Sequence, residues 1–236
     1  MPKSAKPTSQ GKCLLCQQVF PKAAITRHLA ACRTTAYAKD MAKAKEQTVF
    51  HIVVEAKYLP EYWLHVDVAG KVTLADLDLF LKDIWLECCG HLSMFTIAGC
   101  QYSAEPEGAF FELADDCFGA EQEQSMDIAI EKVVQPKTKI GYEYDFGSTT
   151  ELTLRVVAEQ TMQFKGKAIR LLVRNEAPAL MCDNCKTTKA TKVCSQCIDE
   201  GEGWLCAKCA KKHSCGDDVL LPVVNSPRTG VCAYCG

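Results

Sequence analysis

Residues 49–68 read VFHIVVEAKYLPEYWLHVDV. Phe50, Ile52, Val54, Ala56 and Tyr58 fall on one side of a two-residue alternation, which marks a half-buried strand. Leu59-Pro60-Glu61 breaks the run. Tyr62, Leu64, Val66 and Val68 then resume it, so a strand hairpin or meander is expected. Ala69-Gly70 turns the chain. Thr73, followed by Asp76, resembles a helix N-cap with an acidic third residue. Leu77, Leu81, Ile84 and Cys88 recur at helical spacing, predicting a helix over 74–88 that Gly90 can stop. Short strands are predicted at 92–98, 139–146, 150–159 and 167–174. In the last, Ala168, Arg170, Leu172 and Arg174 oppose Ile169, Leu171 and Val173. A short helix is expected near 126–134. The centre of the chain is therefore α+β, strand-dominated, with packed helices.

The whole chain has 236 residues, of which 48% are hydrophobic and 24% charged. That balance excludes a globally disordered, collagen-like or low-complexity chain. No apolar run reaches the roughly 18 residues of a membrane span, and the opening MPKSAKPTSQGK lacks the apolar core of a secretory signal. A reducing, cytoplasmic location and no membrane partner are expected. There, 16 cysteines point to bound metal and not to disulfides. Their distribution divides the chain. Cys13, Cys16 and Cys32 lie at the front, nine more run from Cys182 to Cys235, and only Cys88, Cys89, Cys100 and Cys117 occupy the middle. The expected organisation is a basic arm and finger over 1–35, a linker over 36–47, a central domain over 48–176 and a cysteine-rich module over 180–236. The linker region is Ala/Lys-rich without an apolar stripe, so it reads as a solvated helix extending the first module or as a flexible tether. Charge is just as unevenly spread. Residues 1–45 carry a net +8 and residues 104–135 a net −8. A basic front is an electrostatic footprint for polyanions, or a solubilising tail.

The front spacing is Cys13-x2-Cys16, then eleven residues, then His28-x3-Cys32, a C2HC zinc-finger pattern. A CxxC turn supplies two thiolates. A helix puts His28 and Cys32, four apart, on one face. Phe20 and Ile25 supply the few core side chains that a ββα unit needs. So small a unit couples metal binding to folding. The positions that would face bases hold Pro21, Ala24 and Arg27, and only the arginine can read a base edge. Lys12, Lys22, Arg27 and Arg33 are the candidate contacts to a nucleic-acid backbone.

The rear carries Cys182-x2-Cys185, Cys194-x2-Cys197, Cys206-x2-Cys209, His213, Cys215 and Cys232-x2-Cys235. Three evenly spaced CxxC pairs and a CxxxH predict two zinc ions in a cross-brace, as in B-box or RING-like modules, in which alternate pairs share a metal. Cys182, Cys185, Cys206 and Cys209 are assigned to one ion. Cys194, Cys197 and His213 share the other, with Cys215 or Cys232 as fourth ligand. Cys235 ranks last. Four protein ligands make a closed, structural site; the spread of the pairs and the histidine favour zinc over an iron–sulfur cluster. About three Zn2+ per chain are expected in all.

Three strings in the middle carry a more specific signal: YWLHVDV (62–68), TLADLDLFLKDIWLECCGHLSMFTIAG (73–99) and YEYDFGSTTELTLRV (142–156). Over residues 48–174 they resemble the plasmid pRiA4b ORF-3-like family of bacteria and archaea, sometimes encoded on mobile elements. The resemblance implies a compact α+β domain and no known reaction. Many members follow the YDFG element with an acidic residue, a Trp and a His; here those places hold Ser148, Thr150 and Leu152. The end, LLPVVNSPRTGVCAYCG, resembles the C-terminus of some members, where Cys232 is matched and Cys235 often is not.

Tyr144, Asp145, His91, Glu87, Cys88 and Cys89 are the reactive side chains within these motifs. A Cys–His pair can make a nucleophile. Against that, Cys88 reads as an apolar-face residue, Asp145 as a turn residue accepting backbone N–H groups, and His91 as a helix-end donor. Nucleotide-binding and common hydrolase motifs are absent. The expectation is a zinc-binding, non-enzymatic, nucleic-acid-associated protein, with DNA or RNA on the basic N-terminus. The alternative is an adaptor that binds a protein through the rear module. The third reading is an enzyme with its site in the central domain.

Overall fold

The computed structural model describes residues 9–40, 45–104, 123–164 and 168–236. Most of the acidic stretch, with Cys117, and the lysines of the first eight residues fall outside them. The chain forms β1 (Gln10–Cys13), β2 (Val19–Pro21), α1 (Lys22–Asp40), β3 (Glu46–Ala56), β4 (Trp63–Ala69), α2 (Leu74–Leu81), β5 (Ser93–Ile97), β6 (Cys100–Ser103) and β7 (Gln124–Ser125). It continues through β8 (Lys139–Tyr144), β9 (Thr150–Gln163), β10 (Ile169–Asn175), β11 (Lys192–Cys194), β12 (Trp204–Leu205), α3 (Ala207–Ala210) and β13 (Leu220–Pro222). The fold is α+β. One large sheet runs β2-β1-β10-β4-β3-β9-β8-β5-β6-β7, and a small one runs β12-β11-β13.

The alternation of β3 and β4 does what it predicts on one face. Phe50, Ile52, Val54, Leu64, Val66 and Val68 are buried with Leu74, Leu77, Leu81 and Trp85 of the α2 region in the main core. Thr73 caps α2 in a reciprocal capping box with Asp76. The predicted helix over 74–88 is shorter. It ends as α-helix at Leu81 and widens into one π-turn over Lys82–Leu86, closed by Glu87 N–H to Lys82 O at 2.9 Å. The wider turn buries Trp85 and Leu86 side by side, and Cys88, beyond it, is half-buried and still packs against the main core, as its apolar-face spacing predicts. β3 stops at Ala56, so Tyr58, expected on the buried side, is 72% exposed in the hairpin. In place of a short helix near 126–134 stands a single 3-10 turn, Ile130–Lys132.

The other face is also covered, which the alternation does not show. α1 lies across it through Ile25, Leu29, Arg33 and Tyr37, four residues apart and all buried. Ile25 and Leu29 pack with Cys13, Trp63, Leu172 and Val173; full burial of an Ile or Leu contributes about 1.5–3 kcal/mol. Leu172 and Val173 are both buried because β10 is irregular between Leu171 and Val173. Gly11 permits this packing, since a Cβ there would come 2.6 Å from Cη2 of Trp63. The front hairpin is thus the edge of the large sheet, with β1 paired to β10, and α1 runs on to Asp40.

His51 and His65 are buried on this second face, Nε2 to Nδ1 at 2.9 Å. Burial, then the positive neighbours, hold both below the usual histidine value, His51 at about 2 and His65 at about 3. Both are therefore neutral in the folded protein, while in the unfolded chain they take up protons below about pH 6.5. Stability held above that pH is lost as pH falls, at about 1.4 kcal/mol per histidine per pH unit. The expected result is that a His51→Asn, His65→Asn double variant shows a shallower loss of unfolding free energy than the parent between pH 6.5 and 4.5, measured by urea titration. An equal slope in both proteins would remove the pair as a source of acid sensitivity.

Candidate metal centres

The structure gathers Cys13, Cys16, His28 and Cys32 into one group whose ligand atoms all lie within 4.8 Å of one another. Cys13 ends β1. Gln17 N–H donates to Cys13 O at 2.7 Å and Gln17 takes φ 66°, a tight knuckle that points both thiols inward. α1 presents His28 and Cys32, and Phe20 stacks on the His28 ring at 3.8 Å between centroids. Cys182 and Cys185 repeat the knuckle, with Lys186 N–H on Cys182 O at 2.9 Å and Lys186 at φ 55°.

Cys182 and Cys185 meet Cys206 and Cys209 at the start of α3, and Cys194 and Cys197 meet His213 and Cys215. Alternate pairs therefore converge, the cross-braced order. Of the two candidates for the last position, Cys215 occupies it, with its Sγ 3.6 Å from that of Cys197. Cys232 goes elsewhere, because the chain after β13 leaves this module and returns to the large sheet. Among the described residues Cys235 belongs to no such group, and its thiol donates to Ala233 O at 3.3 Å.

The separations test whether zinc fits. Tetrahedral bonds of about 2.3 Å to sulfur and about 2.0 Å to nitrogen set edges of about 3.8 Å for S···S and about 3.6 Å for S···N. The observed values are 3.9 Å for Cys13–Cys32, 4.0 Å for Cys185–Cys206, 3.4 Å for Cys16–His28 Nε2 and 3.5 Å for Cys197–His213 Nε2. A disulfide needs about 2.05 Å. Charge points the same way. The Thr187 hydroxyl and the amides of Thr187 and Thr188 pull the Cys185 thiol down to about 5, while thiol contact with Cys206, then burial, push Cys209 up to about 12. One thiolate of the group is favoured and the last is opposed by its neighbours, a conflict that a divalent cation relieves.

A fourth group has no counterpart in the spacing. Cys88, Cys89 and His91, just past the π-turn, meet Cys232 of the C-terminal tail. The tail is held by buried polar contacts that composition does not reveal. Asn225 Nδ2 donates to the backbone O of Asn175 at 2.8 Å, and Asn175 Nδ2 donates to Asn225 Oδ1 at 2.9 Å. Ser226 Oγ donates to Trp85 O at 2.6 Å. Arg228, fully buried, donates to Asp145, to Ser148 O at 2.9 Å and to Thr150 Oγ1 at 3.0 Å, and lies 4.8 Å over the Tyr144 ring. The YDFG turn is thus a socket for this arginine. Asp145 Oδ1 accepts Gly147 and Ser148 N–H at 3.1 and 3.2 Å, the turn role. Leu152 is buried in the main core.

The candidate nucleic-acid contacts separate. Lys12 and Arg27 are exposed. Lys22 is partly committed, 2.6 Å from Glu55 and 2.7 Å from Pro60 O. Arg33 is a correction. It is 2% exposed and ion-paired with buried Asp67, Nε to Oδ2 at 2.9 Å, so it cannot reach a phosphate. The sequence concealed this because Arg33 extends the buried stripe of α1.

A profile of the plasmid pRiA4b ORF-3-like proteins matches residues 48–191, from β3 to the start of the rear module. The chain belongs to this family. The match covers the three central strings that carried the resemblance, and Cys182 and Cys185, but not the front finger, the remaining rear ligands or the tail. No curated protein matches. Among solved structures, the chain is similar to a protein of unknown function from Methanosarcina mazei Go1, with 18% identity, 56% of this chain and 70% of that chain covered and a TM-score of 0.43. Among the described residues no helix is long and apolar enough to cross a membrane.

Proposed function

We propose that this family member is a zinc-scaffolded, non-enzymatic protein associated with nucleic acid in a reducing cytoplasm. The observation that carries the zinc reading is the set of Cys/His groups whose four ligand atoms lie within 4.8 Å of one another, at Cys13/Cys16/His28/Cys32, Cys182/Cys185/Cys206/Cys209 and Cys194/Cys197/His213/Cys215. Each offers four protein ligands, which leaves no open position for water or substrate and favours a scaffold over a hydrolytic centre. Zinc in these sites would neutralise thiolates and fix the knuckles, while the chain's own residues set their orientation.

The nucleic-acid part rests on charge. Of the candidate contacts, Lys12 and Arg27 remain once Arg33 is buried and Lys22 is paired, and we add Lys3 and Lys6 of the basic arm to make four. The exposed face of α1 offers Ala23, Arg27, Ala30, Ala31, Thr34 and Thr35, and both threonine hydroxyls donate to helix carbonyls, so backbone binding is favoured over base reading. Fluorescence anisotropy against single-stranded and duplex oligonucleotides should give an affinity that falls with salt. Replacing these four residues by Ala should reduce the log–log slope, by about one per lost phosphate contact. An unchanged slope would discard this reading in favour of the adaptor. That second reading has its own support: the rear module carries a separate sheet and its own small core around Leu205 and Ala210.

A further inference from the structure

We infer that Cys88, Cys89, His91 and Cys232 form a fourth zinc site, which fastens the C-terminal tail to the central domain. The inference rests on the zinc reading above and extends it to residues whose spacing gives no motif. Cys89 and Cys232 are 143 positions apart, so only the folded chain brings them together.

The donor set and the distances fit. Three thiols and one imidazole present one ligand atom each, all within 4.8 Å. Cys89 Sγ and Cys232 Sγ are 3.6 Å apart, and Cys232 Sγ and His91 Nε2 are 3.7 Å apart. These are again close to the tetrahedral edges of about 3.8 and about 3.6 Å. The local fold explains the convergence. The π-turn ends at Leu86, and Gly90, at φ 73° with open space around it, reverses the chain so that Cys88, Cys89 and His91 point to one side. Arg228, four residues before Cys232, seats the tail against this turn.

The surroundings also suit a thiolate-rich ion. Zinc with three thiolates and one neutral imidazole carries a net charge of −1. Arg228 Nη2 lies 3.5 Å from Cys88 Sγ and supplies the opposite charge. The Tyr144 hydroxyl lies 3.9 Å from the same sulfur and accepts the His91 backbone N–H at 3.3 Å. Such neighbours orient ligands and tune a bound metal. Asp145 Oδ2 comes within 3.6 Å of His91 Nε2, but it is held by Arg228, which keeps it outside the ligand set. The site differs from the other three in two respects: its ligands come from segments more than a hundred residues apart, and two of them, Cys89 and Cys232, are exposed.

Metal content of the full chain, purified without added metal, tests this by elemental mass spectrometry. The expected result is about four zinc per chain, falling to about three in Cys232→Ser and in Cys89→Ser, with the circular dichroism spectrum retained. Both sulfurs are at the surface, so either variant keeps the core; if one fails to fold, the other decides. Three zinc in the parent and in both variants would overturn the fourth site while leaving the other three. A mass deficit of two hydrogens that maps to Cys89 and Cys232 would overturn it in favour of a disulfide. A parent chain with no zinc would overturn the broader reading and this site with it.

Discussion

Replacing Arg33 with Ala should cost about 3–5 kcal/mol of stability and leave nucleic-acid affinity unchanged. Arg33 and Asp67 are 2% and 0% exposed, with Nη2 2.7 Å from Oδ1 and Nε 2.9 Å from Oδ2. Tyr37 donates to the same carboxylate at 2.5 Å. Burial raises the Asp67 carboxyl above its usual value even against the pull of Arg33 and Tyr37. Without the guanidinium, Asp67 is left as an uncompensated charge between α1 and the sheet, or takes up a proton. Removing both charges is a different matter. An Arg33→Met, Tyr37→Phe, Asp67→Leu variant restores an apolar layer of similar volume and should recover most of the loss, since buried pairs replaced as a unit are often neutral. Urea unfolding of the parent, the single and the triple variant gives the comparison. A stable Arg33→Ala protein with weakened oligonucleotide binding would instead return Arg33 to the surface.

The same residue shows where the sequence stops being readable. Local patterns are legible when the signal and the structure have the same range. Alternation in β3 and β4, the Thr73 cap and the CxxC knuckles involve neighbours a few residues apart, and each is found where its spacing predicts. The covering of the second face is not local. His51, His65 and Asp67 read as the polar side of half-buried strands, and only the docking of α1 makes them interior. Arg33 reads as part of a basic arm because charge counts do not know about burial. The π-turn is invisible to a helical period, yet it sets how Trp85 and Leu86 are buried. The fourth Cys/His group depends on a tail that crosses back over the chain after β13, and nothing in the CxxC arithmetic distinguishes that path from continuation within the rear module.

That path also decides what losing a rear ligand should do. A Cys206→Ser variant is expected to lose one zinc and unfold the rear module, while the large sheet and the tail stay folded. The module has little else to hold it: its core is Cys182, Leu205, Cys206 and Ala210, two of them metal-ligand candidates. Structural zinc contributes about 10–16 kcal/mol to such units, far beyond what this core supplies. The module is nonetheless a closed excursion. It leaves the sheet after Asn175 and returns at Asn225, where the two asparagines bond to each other, and Arg228 then anchors the chain at Asp145. Unfolding between those points lengthens a loop whose ends stay joined, and the entropy of such a closure grows only slowly with loop length. Hydrogen exchange read by mass spectrometry should therefore lose protection across residues 182–219 and keep it in β3, β4, β9 and residues 225–229. Loss of protection throughout the chain would mean that the rear zinc sites hold up the central sheet itself, and that the asparagine and arginine contacts cannot close the loop without them.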